Sequence, residues 1–229
     1  FSSRRRHTRS CLKSRGLGDV YKRQLVAILT PGQPLLLSWA WVAVMVVFAG
    51  WTVQRRVPGV PRIWLLSMGA FAISAVVTLG VLFGAGVFPV DSTTVVPLAG
   101  LMIGNSMTAT VLVARRVAAE FKDKRLEIEA RLALGQPSAE AARPYLREAL
   151  RTALIPQIET TKAVGIVFLP GMMVGLLLAG VTPLDAVQAQ VVIMYLVLGS
   201  VAVTTSVIAL GLRRLLFTEA HQLKIPTET

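Results

Sequence analysis

Few side chains in this 229-residue chain have the types and surroundings to do chemistry. Four methionines, Met102, Met107, Met172 and Met173, stand in apolar runs and could offer thioether sulfur to a soft metal. Methionine more commonly fills gaps in packing, and a harder metal ion would ask for oxygen or nitrogen donors. The apolar runs hold no Asp, Glu, His or Cys, and the chain has one cysteine, Cys11, and two histidines, His7 and His221, near its ends. No dedicated metal site is therefore expected. Asn105, Ser106 and Thr108 are polar residues inside an apolar run, which lipid tolerates only if they pair between helices or face a pathway. Both roles are open for them; Met172 and Met173 are the other candidates for lining a pathway. No nucleophile has a partnering base. No G-x4-GK[ST] phosphate loop occurs, so the chain is not expected to hydrolyse nucleotide itself.

The elements that position these residues follow from composition. Hydrophobic residues make up 54% and charged residues only 16%, with a mean hydropathy of +0.63. Soluble domains carry about 25% charged residues. Disorder, a coiled coil and most soluble enzymes are excluded, and one cysteine excludes a disulfide framework. The net charge of +12 is uneven, because residues 1–24 hold eight Lys/Arg and one Asp. That segment has no periodicity and no apolar block. Its strings SSRRRHTR and CLKSRGLGDVYKRQ resemble translated sequencing adapter, so it is expected to be non-native, and no nucleic-acid partner is expected. Residues 25–229 are the expected membrane domain.

A bilayer core of about 30 Å needs roughly 20 apolar residues as helix. Five stretches are expected to cross: Leu35–Val53, Ile63–Phe88, Val95–Ala114, Val164–Val181 and Val187–Leu212. The fold class is thus all-α, a polytopic helical membrane protein. Loop 54–62, segment 115–163 and the tail after Leu212 are basic, whereas 89–94 and 182–186 contain Asp91 and Asp185 and no cation. Positive loops stay in the cytoplasm. This places the C-terminus inside and leaves residues 25–34 as the outer end of an earlier span.

Segment 115–163 reads as a cytoplasmic helical hairpin. Val117, Phe121, Ile128 and Leu132 share a face from Arg115 to Leu134, with Glu120/Lys124 and Glu127/Arg131 as i,i+4 pairs. Gly135 is the expected stop. Ser138 would cap a short helix over 139–143, Pro144 would break and restart it, and Leu146, Leu150 and Leu154 form a stripe up to Pro156. Glu159 and Lys162 are spaced for an interfacial ion pair.

Glu129-Ala130-Arg131, then three residues and Gly135, resembles the EAA-x3-G loop of ABC-transporter permeases. Three longer strings narrow the likeness: Val96–Met107 (VPLAGLMIGNSM), Ala153-Leu154-Ile155-Pro156, and Leu169–Ala186 (LPGMMVGLLLAGVTPLDA). Together they resemble the FetB-type permeases, an iron-export ABC family related to plant aluminium-tolerance permeases. The resemblance implies a seven-span membrane subunit in a bacterial inner membrane, truncated here, with no cofactor of its own. It also implies homodimerisation and a separate ATPase partner that holds ATP and magnesium. Glu129, Ala130, Gly135, Gln136, Pro137, Ser138, Glu140, Ala141 and Arg143 would then form the ATPase-coupling bend. Gly100, Gly104, Gly171 and Gly175 have the spacing of close helix packing, and Pro170 should kink its span. The competing readings are an ABC permease for a non-metal solute and a membrane scaffold without transport.

Overall fold

A computed structural model describes residues 34–217 apart from 58–59, 61, 87–88 and 166–168. Seven helices make up these residues: α1 (Leu35–Arg56), α2 (Ile63–Gly84), α3 (Ser92–Asp123), α4 (Arg125–Ala133), α5 (Ser138–Ala163), α6 (Gly171–Leu178) and α7 (Pro183–Leu216). The expectations for residues 1–33, and for Lys224 in the tail, lie outside the described residues.

Helices α1, α2, α3 and α7 are long and apolar enough to cross a membrane. Each buries one stripe against the others. On α1 it is Ser38, Val42, Val46, Ala49 and Val53, and on α7 it includes Ile193, Val197, Val201, Ile208 and Leu212. The opposite faces are also apolar: Val76 is 72% and Val81 66% exposed. Water would penalise that surface; hydrocarbon does not. The chain is a multi-pass helical membrane protein.

Four unbroken helices long enough to span are seen among the described residues where five spans were expected. The stretch Val164–Val181 is not one helix among the described residues. Helix α5 ends at Ala163, Val164 is extended and Gly165 takes φ +83. Helix α6 starts only after Pro170 and runs eight residues. Pro170 therefore stands immediately before a helix rather than inside one. Its fixed φ and missing N–H suit a helix start, and here it holds extended backbone immediately before one. Gly180, at φ +84, closes α6: Gly180 N–H donates to Leu177 O at 3.1 Å and Val181 N–H to Leu176 O at 3.1 Å. This is the double bond that a left-handed C-terminal glycine permits.

The segment after the third span also differs. Helix α3 continues without interruption from the membrane to Asp123, Lys124 leaves helical geometry (φ −102, ψ 20), and α4 begins anew. One non-helical residue re-aims the next turn, so that Ile128 is fully buried while Leu126 is 81% exposed. Gly135 does stop α4, with φ +85 and bonds from Gly135 N–H to Leu132 O and Gln136 N–H to Arg131 O. The expected short helix over 139–143 is not separate. It forms the first turns of the 26-residue α5, which runs through Pro144 and Pro156, and Ser138 is that helix's first residue rather than its cap. Both prolines sit on the exposed side. The packed side, Ala141, Ala142, Tyr145, Leu146, Ala149 and Ala153, holds the helix together. Packing outweighs the loss of one backbone bond at each proline.

One tie between α1 and α3 was not anticipated. Arg115 donates from Nε and Nη2 to the Arg56 carbonyl oxygen at 3.0 and 2.7 Å. The guanidinium fork thereby caps the electronegative C-terminus of α1. Arg115→Ala should lower thermal stability by about 1–2 kcal/mol, and Arg115→Lys, lacking the fork, should restore less than half of it. Unfolding midpoints in detergent check this.

Candidate functional site

Two regions gather the polar residues. The first is a hydroxyl junction within the helical bundle. Ser74 of α2 donates to Ser200 O of α7 at 2.9 Å, and Ser106 of α3 to Ser200 Oγ at 3.4 Å. Thr204 donates to Ser200 O at 2.7 Å and Ser200 to Val197 O at 2.8 Å. Thr78 Oγ1 lies 3.8 Å from Met102 Sδ. Ser74 is twelve residues from Arg62, Ser106 nine from Arg115 and Ser200 thirteen from Arg213. At 1.5 Å per residue, the junction lies about 14–20 Å from the arginine end, near the middle of the bilayer. It is tightly closed: the void among Phe71, Ser74, Met102, Ser106 and Thr204 measures about 10 Å³.

The three polar residues of α3 therefore separate. Ser106 is buried at the junction. Asn105, half-buried, donates to Leu101 O at 2.8 Å, and Thr108, exposed, donates to Gly104 O at 3.4 Å. Both satisfy themselves on their own helix, on a different side from Ser106. The methionines also differ in setting. Met102 is 2% exposed beside Thr78, whereas Met172 is 42% exposed on α6; Met107 and Met173 are half-buried. Among the described residues no three His, Cys, Asp or Glu side chains come together.

The expected packing glycines make no close approach to the described residues of the single chain. A Cβ on Gly104, Gly171 or Gly175 would meet nothing within 4 Å, and on Gly100 only Met45 at 3.7 Å. The close approaches are at Gly50, whose Cβ would stand 2.6 Å from Met68 Cγ, and Gly211, 2.1 Å from a Leu66 methyl. Spacing could not reveal them, because each depends on where its helix meets α2.

The second region is the protrusion built from the overhang of α3, α4 and the first half of α5. Phe121, Ile128, Ala142, Tyr145, Leu146 and Ala149 form its core, continuous with that of the spans. Phe121 meets Phe217, just past α7, edge-on at 5.9 Å. The protrusion is thus welded to α3 and α7. Of the expected coupling residues, Gln136, Pro137, Glu140 and Arg143 are exposed and Ser138 is half-buried. Ala141 is fully buried within the chain. Glu129, half-buried, is engaged by Arg125 at 2.7 Å, and Ala130 is exposed on the same helix. Glu120 pairs with Arg116 at 2.9 Å rather than with Lys124. Glu127–Arg131 forms at 3.3 Å and Glu159–Lys162 at 3.1 Å, as their spacing implies. The Tyr145 hydroxyl faces Glu127 without reaching good hydrogen-bond geometry; it and Arg131 hold the Glu127 carboxyl below the ordinary carboxylate value. Beside the bend lies an open depression of about 460 Å³ lined by Arg131, Gln136, Glu140, Arg143, Pro144 and Arg147.

A bundle of apolar spanning helices with a rigid charged protrusion at one end defines a multi-pass integral membrane protein. The chain belongs to the family described as "Uncharacterised protein family (UPF0014)", which it matches over residues 24–217. It is 34% identical over 172 residues to the rice "UPF0014 membrane protein STAR2", covering 73% of this chain and 60% of that one. To the Escherichia coli "Probable iron export permease protein FetB" it is 31% identical over 177 residues, covering 77% of this chain and 68% of that one. To the Arabidopsis "Protein ALUMINUM SENSITIVE 3" it is 31% identical over 180 residues, covering 79% and 66%. The chain thus spans about two thirds of the length of these relatives. No solved structure matches it.

Proposed function

We propose that the protein is the permease subunit of an ABC transporter for metal export, with iron the leading substrate, working as a homodimer driven by a separate ATPase subunit. The observation that carries this reading is the protrusion. A bend packed continuously onto two spanning helices is a lever, and a structure-neutral linker would not need a core shared with α3 and α7. Iron enters through the likeness to the E. coli probable iron export permease. In this reading the arginine end and the C-terminus face the cytoplasm at a bacterial inner membrane. Gln136, Pro137, Glu140 and Arg143 lie against the ATPase, which carries ATP and magnesium. Gly135 sets the bend, Ser138 starts the contact helix, and Glu129, Ala130 and Ala141 support it from behind. ATPase closure pushes the bend, and α3 and α7 shift against α2, loosening the hydroxyl junction. Asn105, Thr108, Met172 and Met173, which the single chain leaves exposed or half-buried, then line a path between protomers, which Ser106 reaches only as the junction loosens.

A single-cysteine protein (Cys11→Ser, Gln136→Cys) in inverted membrane vesicles tests this. The expected result is labelling from the cytoplasmic face, a nucleotide-sensitive crosslink to the ATPase, and ATP-dependent movement of iron(II) in proteoliposomes holding both subunits. Labelling from the outer face alone overturns the reading. Transport of a non-metal solute instead of iron overturns only the substrate, and no ATP-dependent transport of any solute favours a scaffold.

A further inference from the structure

We propose that the bend receives an acidic element of its protein partner, gripped by Arg131, Arg143 and Arg147 rather than met by the glutamate of the EAA-like motif. The proposal deepens the reading above and rests on the ATPase docking at this end.

Glu129 is already engaged within α4, where its carboxylate accepts from Arg125 Nε at 2.7 Å. Ala141 is buried. What remains around the depression is three arginines against one acid, Glu140. Arg143 and Arg147 are one helical turn apart, and Arg151 extends the row by another turn. Like charges at this spacing repel, and no ion pair engages any of these three among the described residues. Only Arg131 is paired, through one contact at 3.3 Å to Glu127. An unpaired cluster of guanidinium groups is electrostatically unfavourable alone and is relieved by carboxylates, which the planar fork binds in a bidentate manner.

Size and position favour a protein element over a lipid headgroup. The depression measures about 460 Å³ and is floored in part by Pro144, which suits side chains on a backbone rather than a single phosphate. Helix α3 runs eight residues beyond Arg115. That carries the end of α3 about 12 Å beyond Arg115, further than the Debye length of about 8 Å at physiological ionic strength.

The test measures binding of the ATPase subunit to the protein in lipid nanodiscs, with and without anionic lipid. Arg143→Glu with Arg147→Glu is expected to weaken binding about tenfold or more, with a marked fall in on-rate. Raising salt should weaken the wild type and have less effect on the reversed variant. Glu140→Lys, which removes the one acid among the described residues lining the depression, should tighten binding and guards against misreading a misfolded variant. Unchanged affinity in the reversed variant overturns this proposal and leaves the permease reading intact. A loss seen only in anionic nanodiscs assigns the arginines to the membrane surface and also overturns it. If the wild type binds no ATPase, the permease reading itself falls.

Discussion

Phe121→Ala is expected to destabilise the protrusion by about 3–5 kcal/mol and to uncouple it from the membrane helices. Phe121 is 1% exposed and is the largest side chain joining the α3 overhang to the end of α7, through its edge-on contact with Phe217. Removing it leaves a cavity bounded by helices anchored in the bilayer, which cannot easily collapse around it. The protrusion should therefore loosen before the bundle does. Hydrogen exchange should rise in α4 and the first half of α5 and remain low in α2. Under the permease reading, ATP-driven transport should be lost while the ATPase still binds, because the docking residues are untouched. Phe121→Leu, which keeps most of the volume, should restore both. If transport survives Phe121→Ala with a loosened protrusion, the bend is not a lever.

Gly50→Leu should cost about 1–3 kcal/mol through overpacking. Its Cβ would meet Met68 Cγ at 2.6 Å and the Trp64 carbonyl oxygen at 3.3 Å. The backbone oxygen cannot rotate away, so α1 must separate from α2. Gly211 on α7 grips the same turn of α2 from another side, with its Cβ position 2.1, 2.7 and 2.9 Å from Leu66 atoms. Together they clasp the segment from Trp64 to Met68. Gly104→Ala, in open space, should instead be neutral or stabilise by up to about 1 kcal/mol through helix propensity. Thermal unfolding of the wild type and these two variants in one detergent orders them. If Gly104→Ala proves the most damaging, a second protomer packs where the single chain is open.

The sequence was most legible where one physical variable dominates. Apolar runs bounded by arginine located α1, α2, α3 and α7, because removing about 20 residues from water outweighs every local preference. Gly135 announced its turn, since an αL position tolerates little else. The pairs Glu127–Arg131 and Glu159–Lys162 followed from helical spacing alone. Local rules failed where neighbours decide. Pro144 and Pro156 read as breaks, yet α5 continues because its alanine-rich face is held against α3 and α7. Pro170 and Gly180 read as parts of a span, but the backbone they impose leaves an eight-residue helix.

By itself the sequence determined that this protein lives in a bilayer, that its basic loops share one side, and that a long helical segment leaves the membrane between two spans. Each of these is a sum over many residues, which no single contact can reverse. Only the tertiary structure decided that Ser106 parts from Asn105 and Thr108 to join Ser74 and Ser200, that Arg115 caps α1, and that Gly50 and Gly211 mark the close crossings. These depend on the rotation and depth of one helix against another, set by packing between residues distant in the chain.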